Sequence, residues 1–278
     1  MKIKLLGIAL TLLTASGIAQ NSYADAQKSS TAELNVAYFS NYPMAYADGN
    51  AIKGIEVDIL HSFTDWLAET KGIKASLNLQ SYSNFSEMID VVKKGADNFV
   101  GAGSIAITES RKEKLNFSAP YLRNTSILVS NGKLKTATTQ EELQQIFSGQ
   151  KGAAVKNSVH TLYIENVSST FNTELNVTYY RNTDEVLKAL RSGEASFAFL
   201  DVLSFWNFMK DSKEFYKIQK FVPSEDEYFG FAFPKDSDWN EPFNEFFETG
   251  FGFTATKEYR EILEKYLGYE IIDKVELD

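Results

Sequence analysis

In Gly54-Ile55-Glu56-Val57-Asp58-Ile59-Leu60-His61-Ser62-Phe63-Thr64-Asp65-Trp66-Leu67-Ala68-Glu69-Thr70-Lys71-Gly72, the apolar residues Ile55, Ile59, Phe63 and Leu67 recur every four positions. Leu60 and Trp66 widen the same stripe, so the segment predicts a helix with one buried face, stopped at Lys71-Gly72. Upstream, Leu34 to Phe39 reads as a strand and Asp48-Gly49-Asn50 as a turn, which completes a βα unit. The pattern repeats downstream: a strand near Ala75 to Leu79, a helix from about Phe85 to Lys94 closed by Gly95, and an apolar stretch from Phe99 to Ile107. Such alternation predicts an α/β fold.

A second series with the same grammar starts after Tyr121. Strands are expected at Ser126 to Val129, Ala153 to Val155, Val177 to Tyr180 and Ser196 to Phe199. Helices are expected near Gln140 to Phe147, near Thr161, near Val186 to Leu190 and after Asp201. Asn182-Thr183-Asp184-Glu185 is a helix start and Ser192-Gly193 a stop. After a further strand at Tyr228 to Phe233 the tail turns helical, from about Glu241 to Phe247 and from Lys257 to Leu267. No repeat and no long linker separates the two series, so short crossings must join them.

Lys2 and Lys4 precede an apolar run from Leu5 to about Ile18 that ends in small residues, the pattern of a secretory signal peptide. The run is shorter than the roughly 20 residues a membrane span needs. Cleavage is expected after Ala24 or Ala26, making residues 1–24 the leader. The chain has no cysteine, which excludes both a disulfide framework and a lipid-bearing cysteine anchor. A freely diffusing periplasmic protein is the expectation. The roughly 250 residues that remain are more than one small core organises, so two compact units follow. Asp and Glu number 37 against 28 Lys and Arg, with no long basic block, so nucleic acid is not an expected partner.

A small zwitterion held in a closed crevice needs one partner for its carboxylate and another for its ammonium. An arginine fork donates two parallel hydrogen bonds to a carboxylate, and an aspartate receives an ammonium. Arg111 follows Ser104-Ile105-Ala106-Ile107-Thr108-Glu109-Ser110, where an apolar strand gives way to a polar turn; its plain alternative is a solvated surface charge. Asp201 stands at the carboxyl end of the strand Phe197-Ala198-Phe199-Leu200, the end at which ligands of α/β sheets gather; its alternative is a helix N-cap. Ser158 opens a helix whose free amides suit an anion, a role compatible with capping that helix.

Gly54-Ile55-Glu56-Val57-Asp58, then Ile107-Thr108-Glu109-Ser110-Arg111, then Phe117-Ser118-Ala119-Pro120-Tyr121, with Asp201 after an apolar strand, resemble the family 3 extracellular solute-binding proteins, the amino-acid receptors of ABC importers. The likeness runs from about Leu34 to Gly268. It implies a two-lobed periplasmic-binding-protein-like fold of type II, with residues 33–124 plus 226–278 as lobe 1, 125–225 as lobe 2, and two crossover strands as the hinge. It further implies a monomer that passes a small-molecule ligand to an inner-membrane ABC permease, with no cofactor and no metal. Arg111 would clamp the ligand carboxylate, helped by the Ala106 backbone and by Ser158 from the other lobe. Asp201 would hold the amino group with Ser104, and Tyr42 and Tyr46 are the candidates for an aromatic wall. Ala106 departs from the Ser or Thr of many relatives, and Tyr38-Phe39-Ser40 lacks the acid that receptors for basic amino acids place after the first strand.

Two other classes compete. A dehydratase-like enzyme on the same fold finds little support, because His61 and His160 have no cysteine and no spaced partner, and Glu225 to Glu227 reads as a solvated loop. A periplasmic sensor that docks on a receptor kinase uses the same closed state as an importer's receptor and is not separable from it by sequence.

Overall fold

The computed structural model describes residues 22–275 and 277. The expected leader lies outside these residues up to position 21, whereas both expected cleavage points fall inside a first helix, α1 (Tyr23–Ser29). Ser22 caps α1 by accepting from the Asp25 amide, and Tyr23 packs on Trp239 at 5.4 Å between ring centres. The Tyr23 and Ala24 amides donate to the Asp238 carboxylate at 2.7 and 3.0 Å.

Next come β1 (Thr31–Phe39), a hairpin of β2 (Tyr46–Asp48) and β3 (Ala51–Lys53), α2 (Ile55–Lys71), β4 (Lys74–Tyr82), α3 (Phe85–Lys94), β5 (Phe99–Ala102), α4 (Glu109–Lys112) and β6 (Leu115–Phe117). Helix α2 is the opening helix of the sequence reading; it buries Ile55, Ile59, Leu60, Phe63 and Leu67 and stops at Gly72 in the left-handed region. Gly54, just before it, has φ 136°, and a Cβ there would lie 2.1 Å from the Met44 carbonyl oxygen, so only glycine fits.

The chain leaves this lobe along β7 (Leu122–Asn131). The second lobe contains α5 (Gln140–Phe147), β8 (Lys151–Val155), α6 (Val159–Thr170), β9 (Asn176–Tyr180), α7 (Thr183–Ser192), β10 (Phe197–Asp201), α8 (Val202–Asp211) and β11 (Tyr216–Ile218). Strand β12 (Glu225–Phe229) returns, pairing antiparallel with the first half of β7, with Glu227 opposite Asn124. Then β13 (Ala232–Pro234), α9 (Asn240–Glu248), a 3-10 turn at Phe253–Ala255, α10 (Lys257–Leu267) and α11 (Tyr269–Val275) rejoin the first lobe. The strand expected at Tyr228 to Phe233 is thus two strands. They part at Gly230, where a Cβ would meet Ile107 at 2.8 Å and the chain changes partner from β7 to β5 and β6.

Besides the β2-β3 hairpin, two larger sheets result, in the order β4-β1-β5-β13-β6 for the first lobe and β11-β7-β10-β8-β9 for the second, with β12 also paired to β7. Strands β1, β4 and β5 are parallel, as are β8, β9 and β10, so the carboxyl ends of β1, β5, β8 and β10 are the natural ligand-facing edge. An aromatic cluster fills the first core, including Phe63 stacked on Phe243 at 3.8 Å. The second core lies around Phe147, Phe197 and Phe199. A third apolar cluster joins Phe39 and Phe85 of the first lobe to Val155 and Leu200 of the second. The lobes also meet through hydrogen bonds: the Phe85 amide to the Arg181 carbonyl, Asn182 Nδ2 to the Ser83 carbonyl, and Asn157 Nδ2 to Ser86 Oγ. The structure is a closed one.

Candidate functional site

Strand β5 ends where Gly103 takes φ 130° and Ser104 φ 56°, a turn that ends the expected apolar stretch earlier than its hydropathy indicates. Glu56, fully buried at the start of α2, fixes this turn by accepting from the Ser104 amide at 2.9 Å and from the Tyr121 hydroxyl. Burial raises the Glu56 carboxyl above its ordinary value, opposed by the hydrogen bonds from Tyr121, Gly103 and Ser104.

Beyond the turn, Ala106 bridges to Phe229 between two flanking bonds, Ile107 amide to Tyr228 carbonyl and Gly230 amide to Ile105 carbonyl. In that arrangement the amide and carbonyl of Ala106 face away from its partner strand. Its carbonyl accepts from Arg111 Nη1 at 2.8 Å. Thr108 caps the short helix α4, and this cap sets the direction from which Arg111 returns to the strand end. Arg111 Nη2 donates across the lobes to the Asn157 carbonyl at 3.2 Å, and the guanidinium lies 5.2 Å from the Phe85 ring centre. Burial pulls its pKa down to about 10, with the charge of Glu227 acting the other way. Among the described residues no carboxylate lies within ion-pair distance of Arg111, so the fork is held by carbonyls and its charge has no direct counterpart.

From the second lobe, Asn157 adopts φ 58° at the end of β8, which turns its carbonyl toward Arg111. Ser158 follows as the N-cap residue of α6. Its hydroxyl donates to the Val155 carbonyl at 2.8 Å and makes no cap bond, so the first amides of α6 keep their free, positive end. Asp201 ends β10 and is buried at 8 % exposure. Its Oδ1 accepts from Asn124 Nδ2 and the Ser204 amide, both at 2.8 Å, and its Oδ2 from Ser204 Oγ at 2.6 Å. The helix-cap reading of Asp201 therefore holds, and it coexists with a place in the crevice.

Ser104, Ala106, Arg111, Ser158 and Asp201 all line one interlobe cavity of about 40 Å³, with Phe39, Asn41, Phe85, Thr183 and Phe229. Arg111, Phe85, Ser158 and Val159 also border an outer space of about 370 Å³. Tyr42 and Tyr46 are not brought to the cavity. Tyr42 is exposed and its ring lies tilted against that of Tyr46 at 4.9 Å between centres, and Tyr46 packs on the first lobe's core. The aromatic wall is made by Phe39, Phe85 and Phe229 instead, because β1 runs its last buried residue into the crevice before the chain turns away at Asn41. Two residues that sequence reasoning set aside also line it: His160 on α6 and Glu227 on β12. The expected solvated loop at Glu225 to Glu227 is a strand in which Glu227 and Phe229 are buried while Asp226 and Tyr228 are exposed. That alternation was the available signal, masked by the run of acids.

Two α/β lobes joined by two crossing strands, with a charged crevice between the sheets, define the type II periplasmic-binding-protein fold. The chain belongs to the bacterial extracellular solute-binding proteins, family 3, which it matches over residues 34–269. An ABC uptake transporter substrate-binding protein from Streptococcus pneumoniae, solved with bound histidine, superposes with a TM-score of 0.70 at 20 % identity, covering 90 % of this chain and 98 % of that one. The GluR0 ligand-binding core from Nostoc punctiforme, in complex with L-glutamate, gives 0.66 at 18 % identity, covering 85 % and 100 %. Among curated relatives, a membrane-bound lytic murein transglycosylase F from Cellvibrio japonicus is 23 % identical over 173 residues, 61 % of this chain. The match spans about a third of that relative's length (32 %).

Proposed function

We propose that this protein is a periplasmic receptor that captures an amino acid, or a similarly small zwitterion or carboxylate, and presents it to an inner-membrane ABC permease. The observation that carries the reading is the guanidinium of Arg111, which has no carboxylate within ion-pair distance among the described residues, is preoriented by two carbonyls from different lobes and shares a cavity with the Asp201 carboxylate. A ligand carboxylate supplies the missing charge to Arg111, with the Ala106 amide and the start of α6 at Ser158 as further donors. The ligand ammonium goes to Asp201, with the turn at Ser104 on the opposite wall. Chemistry on the ligand is not required by this arrangement, and the reading is a binding protein rather than an enzyme.

A thermal-shift screen of amino acids and small carboxylates, with native mass spectrometry for a copurified ligand, tests this. Ligand at 100 times its dissociation constant stabilises the folded protein by about 2.7 kcal/mol. Arg111→Ala is expected to abolish the shift for every hit. Full affinity in that variant removes Arg111 from the site, and turnover of any screened compound overturns the binding-protein reading.

A further inference from the structure

His160 is 7 % exposed, lines the interlobe cavity, and neither of its ring nitrogens has a hydrogen-bond partner. Buried polar atoms are almost always satisfied, and a neutral imidazole brings one donor and one acceptor. The nearest acid, Glu227, stands 3.6 Å from Nε2, beyond hydrogen-bond reach, and is itself 5 % exposed. Glu227 Oε1 accepts from the Ser126 hydroxyl, an anchor on the opposite crossing strand that fixes the carboxylate beside the cavity.

Charge adds an independent argument. Within the cavity, Arg111 and Asp201 are matched by the two ends of a zwitterion, which leaves the Glu227 carboxylate in excess. An aliphatic side chain packed there would leave both imidazole nitrogens dry and Glu227 facing hydrocarbon. A side chain with N–H or O–H groups satisfies them. The absence of an acid after β1 weighs against a cationic side chain only if no other acid reaches the cavity, and Glu227 does reach it.

We propose that His160 and Glu227 form a second recognition subsite, which accepts a hydrogen-bond-donating side chain of the bound amino acid and rejects its aliphatic isostere. The inference rests on the amino-acid reading above. Hydroxyl, amide and ammonium donors share the required chemistry.

Calorimetry on the full mature protein with matched pairs tests it: serine against 2-aminobutyrate, asparagine against leucine, lysine against norleucine. At least one donor-bearing member is expected to bind about tenfold or more tighter than its isostere, since a buried polar group left unpaired costs that much. The pair showing the preference identifies the donor as hydroxyl, amide or ammonium. In His160→Phe and Glu227→Gln, the latter keeping an acceptor for Ser126, the preference is expected to shrink severalfold while Arg111→Ala still abolishes all binding. Equal affinity for every pair in the wild type, or an unchanged preference in both variants, overturns the subsite and leaves the amino-acid reading standing. Binding of no amino acid by the wild type overturns both.

Discussion

Asp201 gives one carboxylate two tasks, and substitutions separate them. It caps α8 through Ser204 and also lines the cavity. Asp201→Asn keeps an oxygen for the Ser204 amide but removes the charge, so it is expected to retain the wild-type unfolding free energy within about 0.5 kcal/mol while ligand affinity falls at least about tenfold. Asp201→Ala is expected to lose both, with about 1 kcal/mol of stability gone with the cap. Unchanged affinity in Asp201→Asn would reduce the residue to its cap. Glu56 permits a similar test through pH. Its proton is bound more tightly in the folded state, because burial raises its pKa from an ordinary 4.5. The stability this contributes is complete below the ordinary carboxylate range and is lost as pH rises through the raised value. Glu56→Gln keeps Oε1 as acceptor for Ser104 and Tyr121 and cannot ionise. Melting scans from pH 4 upward are expected to show the wild type losing ground relative to this variant; parallel curves would show that Glu56 does not titrate with folding.

Among the elements, α1 carries two patterns at once, a small-residue cleavage signal and a packed helix. Ala24 and Ala26 satisfy the small-residue rule for a cleavage site, yet Ala26 is buried and Tyr23 anchors the helix on Trp239 and Asp238. A protein beginning at Asp25 is expected to be less stable than one beginning at Gln20 by about 4 kcal/mol or more, the sum of a lost aromatic burial and two charge-assisted bonds. Parallel thermal melts decide this, and the N-terminal sequence of the secreted protein shows which form exists. The βα units themselves were legible because helices α2, α3 and α7 and the strands between them each keep one buried face, and burial is what hydrophobic period encodes. Arg111 and Asp201 could be singled out because a local motif sits at a strand end, and both line the same cavity. The wall of the crevice was not: whether Phe39 or Tyr42 faces the ligand depends on where the chain turns after β1 and on which lobe closes over it, and neither is written in local spacing. His160 on α6 and Glu227 on β12 are far apart in sequence and become neighbours only through the pairing of β12 with β7.

At the scale of the molecule, a receptor of this design works only if ligand and closure support each other. The two sheets are joined by a pair of strands, so the lobes can separate without breaking either core. Closure is held by few interlobe bonds, and a ligand shifts the population by binding the closed state better than the open one. Weakening a bond that exists only when the lobes meet must therefore weaken ligand binding from a distance. Asn182 offers the cleanest test, because its Oδ1 caps α7 while its Nδ2 donates to Ser83 on the opposite lobe. Asn182→Asp preserves the cap and deletes the donor. One neutral hydrogen bond is worth about 0.5–1.5 kcal/mol, so affinity is expected to fall about two- to tenfold with the unliganded melting temperature unchanged. Stopped-flow measurements should place most of the loss in faster ligand release, as expected when a closed complex reopens more readily. Small-angle scattering should show the ligand-free variant as open as the wild type or more so. If affinity and release are both unaltered, the Asn182–Ser83 bond does not contribute to closure, and the closed state must be held by the ligand and the apolar seam of Phe39, Phe85 and Val155 alone.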